Sequence, residues 1–153
     1  MQAGDKAAEF ILPNQEGREV RLSDFIGKKL ILYFFPKANT KGCAQEAEDF
    51  NRNLDQLRNC GAEVVGISRD TVKKQKEFHS KYELAFDLLC DAEEKVCILY
   101  DVIKEKSMYG KKYMGIERTT FILDEKGRIE KIFPKVKVKG HIEEVISYFC
   151  NQR

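Results

Sequence analysis

Six consecutive residues, Leu30 to Phe35 (LILYFF), are apolar or aromatic, and the run stops at Pro36. A strand with one wet face would alternate apolar and polar side chains. This one has no polar position to turn toward water, so Lys29 to Phe35 is read as a strand covered on both sides. Such a strand belongs in the middle of a sheet with a layer of structure on each face, the arrangement of α/β chains. Proline cannot donate to a ladder and closes the strand.

The rest of the chain fits that frame. Phe10 to Leu12 and Glu19 to Leu22 flank the turn-rich PNQEGR, which predicts an N-terminal β-hairpin, and Ser23 is a cap candidate for a short turn before Gly27. Ala47, Phe50, Leu54 and Leu57 recur at helical spacing between Cys43 and Cys60, with Gly61 as the stop. Ala62 to Ser68 is the next strand, and Asp70 or Thr71 caps a helix reaching Tyr82. Phe86 to Cys90 reads as a strand, and Asp91 caps a short helix holding Val96, Leu99 and Tyr100. Lys104 to Gly115 reads as a Lys- and Gly-rich connection. Arg118 to Asp124 and Arg128 to Phe133 then flank the turn DEKG. KVKVK, Lys135 to Lys139, alternates as a solvated strand would, and Gly140 to Cys150 closes the chain as a helix with Ile142, Val145, Ile146 and Phe149 inward. His141, at the start of that helix, is expected to face solvent, and His79 to lie on a helix face.

The order β-α-β-α-β-α-β-β-α implies a mixed central sheet flanked by helices, parallel first and antiparallel at the end, compatible with a thioredoxin-like α/β fold. With 153 residues and no linker, repeat or low-complexity tract, residues 1–153 form one domain.

Composition excludes several functions. The chain is 42% hydrophobic and 34% charged, and no apolar stretch approaches the ~20 residues of a membrane span. MQAGDKAAEF lacks the apolar core of a signal peptide, so a cytoplasmic protein is expected. The net charge is +2, with lysines and acids interspersed, which gives no phosphate-binding face and no nucleic-acid partner. Five cysteines, an odd number, are expected mostly as free thiols in a reducing compartment. None forms a CxxC pair, and neither histidine lies near two cysteines, so no metal site is expected.

The chemistry concentrates at Cys43, where the strand ending at Pro36 hands over to a helix behind the carboxyl edge of a parallel sheet. A thiol in the first turn of a helix meets unpaired N–H groups and the positive end of the macrodipole, both favouring thiolate. Gly42 allows close backbone approach, Thr40 offers a hydroxyl and Lys41 a cation. Together they can hold a small polar substrate against sulfur. Position alone leaves a packed small residue equally open.

Pro36, Thr40 and Cys43 form P-x-x-x-T-x-x-C, which resembles the active-site motif of the peroxiredoxins. LYFFPKANTKGCAQEAEDF, with GDKAAEFILPNQEG, VVGISRD, FDLLCD, YGKKYMGIERTTFILDEKG and VKGHIEEV, is similar to the bacterioferritin-comigratory-protein, or peroxiredoxin Q, branch over nearly the whole chain. The resemblance implies a cytoplasmic thiol peroxidase, without metal or organic cofactor, acting on hydrogen peroxide and organic hydroperoxides. Cys43 would attack the O–O bond and become a sulfenic acid. Thr40 would hydrogen-bond the peroxide, Pro36 would shield the sulfenate, and Arg118 in GIERTTF would supply a guanidinium.

The chain departs from that pattern twice. Lys41 stands where many members have proline, and Glu48 where many carry a resolving cysteine; His79 occupies the other familiar resolver location. Cys60, about 25 Å further along a continuous helix, is far beyond the ~5.5–6 Å between α-carbons of a disulfide. Cys90, two strand spacings or ~10 Å away, and Cys97 are the candidate atypical resolvers. Cys97 and Cys150 also read as packed core thiols. A one-cysteine mechanism leads, an internal resolver and an intermolecular disulfide follow, and thioredoxin, glutaredoxin or a small thiol is the expected reductant. Relatives in the branch are often monomers, and a monomer is expected. A redox-sensing interaction protein using the same cysteine is the reading from another class. A dithiol oxidoreductase is disfavoured by the missing CxxC.

Overall fold

The structure, a computed structural model, describes residues 1–150. Strand β1 (Ile11–Pro13) pairs with β2 (Glu19–Arg21) in the expected N-terminal hairpin, followed by a 3-10 turn over Leu22–Phe25. Strand β3 (Lys29–Phe34) is buried at every position after the first. Helices α1 (Lys41–Arg52) and α2 (Leu54–Asn59) follow it, then β4 (Ala62–Ser68), α3 (Val72–Lys81), β5 (Asp87–Cys90) and α4 (Lys95–Leu99). A hairpin, β6 (Ile103–Met108) and β7 (Lys111–Ile116), precedes β8 (Thr119–Leu123), β9 (Ile129–Phe133) and α5 (His141–Cys150).

The central sheet has the order β5-β4-β3-β8-β9. β3, β4 and β5 run parallel, β8 antiparallel to β3, and β9 antiparallel to β8, so the mixed thioredoxin-like sheet is present with β3 at its centre. Alternate residues of each strand serve opposite faces. Ile31, Tyr33, Phe35, Val64, Leu88 and Ile122 meet α1, α2, α3 and α5 on one side. Leu30, Leu32, Phe34, Ile67 and Phe121 meet α4 and the N-terminal segment on the other.

Four local expectations change. The helix expected from Cys43 to Cys60 breaks at Asn53, whose side-chain amide donates to the Asp49 carbonyl and competes with the helical ladder. The apolar spacing continues through the break, which hides it. Lys104 to Gly115 is a β-hairpin; Tyr109 and Gly110 both take positive φ, 52° and 79°, as a two-residue type I′ turn requires. Lys135 to Lys139 forms no strand, because Pro134 ends β9 and Lys135 takes φ 48°. His141 is buried, with the edges of Phe50 and Phe133 against it and the Thr120 hydroxyl 2.8 Å from Nε2.

Candidate active site

Six residues, 35–40, join the end of β3 to the start of α1, and a carboxylate from the loop after β4 fixes them. Asp70 Oδ2 accepts from the Ala38 backbone N–H at 2.7 Å and from the Ser68 hydroxyl at 2.6 Å. Thr71, not Asp70, caps α3 by accepting from the Lys74 N–H, so Asp70 is left for the loop. Asn39 takes φ 65°, a left-handed conformation that asparagine tolerates, and turns the chain into α1. Pro36 is half-buried at the start of this loop.

Thr40 is the N-cap of α1, yet its hydroxyl donates to the Lys37 carbonyl at 2.9 Å and caps nothing. The N–H groups of the first turn therefore have no side-chain acceptor, and Cys43 is the third residue of that turn. Its thiol is 1% exposed.

Arg118, just before β8, reaches across the sheet edge to this turn. Its Nη1 lies 3.5 Å from Cys43 Sγ and donates to Glu46 Oε1 at 2.7 Å. Burial works against the guanidinium's charge, but Glu46 and then Cys43 outweigh it and hold Arg118 more firmly protonated. Gly42 makes the approach feasible: a Cβ there would stand 3.2 Å from Arg118 Nη2. Gly42→Ala is expected to displace the guanidinium and slow the reaction of the Cys43 thiol with an electrophile about 10-fold. Thermal stability should not fall, because alanine is the better helix former by about 1 kcal/mol. Stopped-flow rates set against melting curves check this; a parallel loss in both would mean that the glycine matters for folding instead.

Sequence reasoning missed Glu46, one turn beyond Cys43 on the same face of α1. Burial pushes its carboxyl up to about 7 despite the opposing pull of Arg118. Its Oε2 and the Tyr33 hydroxyl are both buried without a hydrogen-bond partner among the described residues. Between the usual carboxylate range and pH 7 the folded state keeps a proton that the unfolded chain has lost. The stability Glu46 contributes is thus full at low pH and lost as pH rises through about 7. Glu46→Gln removes this loss. The melting difference, variant minus wild type, should move in the variant's favour between about pH 5 and pH 8, by on the order of 1–3 kcal/mol. A difference independent of pH would assign the proton elsewhere.

Lys106 on β6 was also missed. It is half-buried, its methylenes lie over Gly115, where a Cβ would stand 3.3 Å from Cδ, and burial followed by repulsion from Arg118 lowers its ammonium pKa. Cys43 acts on it in the opposite sense. Its unexpected hairpin hid this residue in a stretch read as connection. Lys41 is exposed and, with Gly42, Gln45, Lys139 and Ile142, lines a cavity of about 740 Å³ beside the first turn of α1.

The remaining thiols lie apart from this cluster. Cys90 ends β5, two strands from β3; its thiol donates to the Asn14 carbonyl, and burial pushes it up to about 12. Cys97 is fully buried in the core on the opposite face of the sheet from Cys43, and burial followed by the Asp91 carboxylate raises its pKa. Cys60 and Cys150, expected as free thiols, are joined in a disulfide across 90 residues of sequence, with their α-carbons 5.6 Å apart. Packing of α5 on α2 brings these two helix ends together, which no spacing in the sequence encodes. Among the described residues no cluster of His, Cys, Asp and Glu could hold a metal ion.

A sequence model described as the AhpC/TSA family matches residues 3–132. The chain is 49% identical over 146 residues to a protein named putative peroxiredoxin bcp from Coxiella burnetii, covering 95% of this chain and 97% of that one. It is 41% identical over 148 residues to peroxiredoxin Bcp of Escherichia coli, covering 97% and 95%. Its fold matches a cysteine-to-serine mutant of Xylella fastidiosa PrxQ with a TM-score of 0.91 at 39% identity, over 97% of this chain and 94% of the other. A Xanthomonas campestris bacterioferritin comigratory protein, studied for alkyl peroxide reduction in trapped intermediate and ligand complexes, matches with a TM-score of 0.89 at 38% identity over 97% of each chain.

Proposed function

The chain belongs to the AhpC/TSA family, and on that premise we propose that it works as a peroxiredoxin of the Bcp/PrxQ type with Cys43 as the peroxidatic residue. It is a thiol peroxidase, and the observation that carries the assignment of its nucleophile is the Arg118 Nη1 to Cys43 Sγ contact of 3.5 Å in the uncapped first turn of α1.

The Cys43 thiolate attacks the terminal oxygen of a hydroperoxide. The O–O bond breaks, sulfur gains the hydroxyl as sulfenic acid, and the leaving oxygen takes a proton to become water or an alcohol. Negative charge spreads over both oxygens as the bond stretches. Arg118 and the first-turn N–H groups of α1 are donors already in place for that charge, which is where preorganised donors accelerate a reaction most. The Thr40 hydroxyl turns from the Lys37 carbonyl to the peroxide, Gly42 keeps the approach open, Lys41 flanks it and Pro36 shelters the sulfenate.

An external thiol then attacks the sulfenic acid, water leaves, and a second thiol releases Cys43 from the mixed disulfide. This one-cysteine route is favoured because Cys90 and Cys97 are held as neutral thiols by burial, away from Cys43, and a neutral thiol is a poor nucleophile. Thioredoxin, glutaredoxin and small thiols are the reductants to compare. Among the described residues no helix is long and apolar enough to cross a membrane; we place the protein in the cytoplasm as a monomer.

Intact mass after one equivalent of hydrogen peroxide, with a sulfenate trap present, tests the reading. One trapped adduct on the Cys43 peptide and continued peroxide consumption with a thiol reductant are expected. A disulfide between Cys43 and Cys90 or Cys97 would replace the one-cysteine route. An adduct without turnover would make the protein a redox sensor.

A further inference from the structure

We propose that Cys60 and Cys150 are a second redox site, separate from Cys43, whose disulfide fastens α5 to the end of α2 and holds shut the helical layer over Cys43.

Cys60 is the C-cap of α2 and Cys150 the last residue of α5. The two sulfurs are bonded, and their α-carbon separation of 5.6 Å is ordinary for a disulfide. Both residues are half-buried, whereas Cys43, Cys90 and Cys97 are buried. A dithiol from solution therefore meets this pair before any other cysteine sulfur in the described residues.

The bond ties together two helices of the layer to which α1 and Cys43 belong. α1 runs into α2 through Asn53, so Cys60 anchors the far end of the helical pair whose first turn carries Cys43. α5 packs on both α1 and α2, and its first turn is pinned to β8 through Thr120 and His141. Gly140, Ile142 and Glu143 line the same cavity as Lys41 and Gly42. One end of α5 thus borders the approach to Cys43 and the other carries the disulfide.

A cross-link spanning 90 residues removes much of the freedom of any state in which α5 has left α2. Local openings that separate the helical layer are accordingly rarer when the pair is oxidised. Cys43 is only 1% exposed, so a bulky reagent reaches it through such openings.

The chemistry balances without a cofactor. A dithiol delivers two electrons and two protons: the S–S bond breaks, two S–H bonds form, and the dithiol becomes a disulfide. Hydrogen peroxide reverses it. One thiolate takes an oxygen and releases the first water, and the second thiol displaces the other water as the S–S bond forms.

Three samples test the clamp without relying on peroxidase activity: oxidised wild type, dithiol-treated wild type and Cys60→Ser/Cys150→Ser. A digest under non-reducing conditions should show the Cys60 and Cys150 peptides joined in the first only. In samples whose intact mass shows Cys43 as the free thiol, a bulky maleimide should label Cys43 at least about 5-fold more slowly in the oxidised protein than in the other two, with amide exchange over α5 faster in both of those. Dithiol should leave the double variant unchanged. Failure of peroxide to join the two peptides, or equal labelling of Cys43 in oxidised and dithiol-treated wild type, overturns the proposal. Because trapping of the Cys43 sulfenic acid is not part of this readout, its failure and failure of the clamp are separately visible.

Discussion

Cys43→Ser is expected to abolish peroxide turnover, and Arg118→Ala to lower the second-order rate of Cys43 with hydrogen peroxide by about 10²–10³-fold. Serine keeps the size of the thiol but is barely ionised near neutral pH, so the nucleophile is lost while packing is retained. In the alanine variant the nucleophile remains. What is lost is the donor 3.5 Å from sulfur that meets the growing charge on the peroxide oxygens. Glu46, left without its cation 2.7 Å away, responds by keeping its proton to higher pH, since an isolated buried carboxylate is the costlier state. The fold should therefore survive the substitution. Arg118→Lys is expected to recover little, because Nη1 alone already serves Cys43 and Glu46 and a single ammonium lacks the further N–H donors that the planar guanidinium leaves for the peroxide. Stopped-flow rates with hydrogen peroxide, beside circular dichroism spectra, decide it: a rate for Arg118→Ala within about 3-fold of wild type would remove the guanidinium from the transition state.

Gly66→Ala should be the most damaging single-methyl addition in the sheet. Gly66 is buried in β4, between Tyr33 on β3 and Leu88 on β5, and a Cβ there would stand 2.8 Å from Tyr33 Cζ and 2.9 Å from Leu88 Cδ2. Neither neighbour can retreat easily. Tyr33 stacks on Phe50 with ring centroids 4.7 Å apart and is less than 2% exposed, as is Leu88. Overpacking of this kind costs about 1–3 kcal/mol, or a fall in Tm of about 2–12 °C for a domain of this size. Trimming one neighbour should relieve part of the strain. Gly66→Ala combined with Leu88→Val is expected to be less destabilised than the two single effects added together. Strict additivity would mean that the new methyl does not press on Leu88.

The readable parts of the sequence were those governed by neighbours along the chain. The LILYFF run gave a central strand because a side chain every second residue must face one of two layers, and none of these could face water. Thr71, Gly61 and the DEKG turn mark ends that depend on one or two residues, and the hairpin at Ile11 to Arg21 follows from the turn inside it. Cys43 stood out because a strand-to-helix junction is a local feature, and the PxxxTxxC resemblance sharpened it. The second hairpin failed the same test for a physical reason. β6 and β7 carry exposed, Lys-rich faces, and tyrosine is not a residue that announces a left-handed turn, so neither burial nor turn chemistry signalled them.

By itself, then, the sequence determined the order of the central sheet's strands along the chain, the place of the sheet's centre and the strand-to-helix junction that carries Cys43. Tertiary structure alone decided which distant groups would meet. Glu46 and Arg118 are 72 residues apart, Ala38 and Asp70 32, and Cys60 and Cys150 90. It also turned His141 inward against Thr120, Phe50 and Phe133. Periodicity reports only that a side chain is covered. It is silent on what covers it, because burial is a non-directional drive and the particular hydrogen bond, ion pair or disulfide appears only when packing has brought two segments into register.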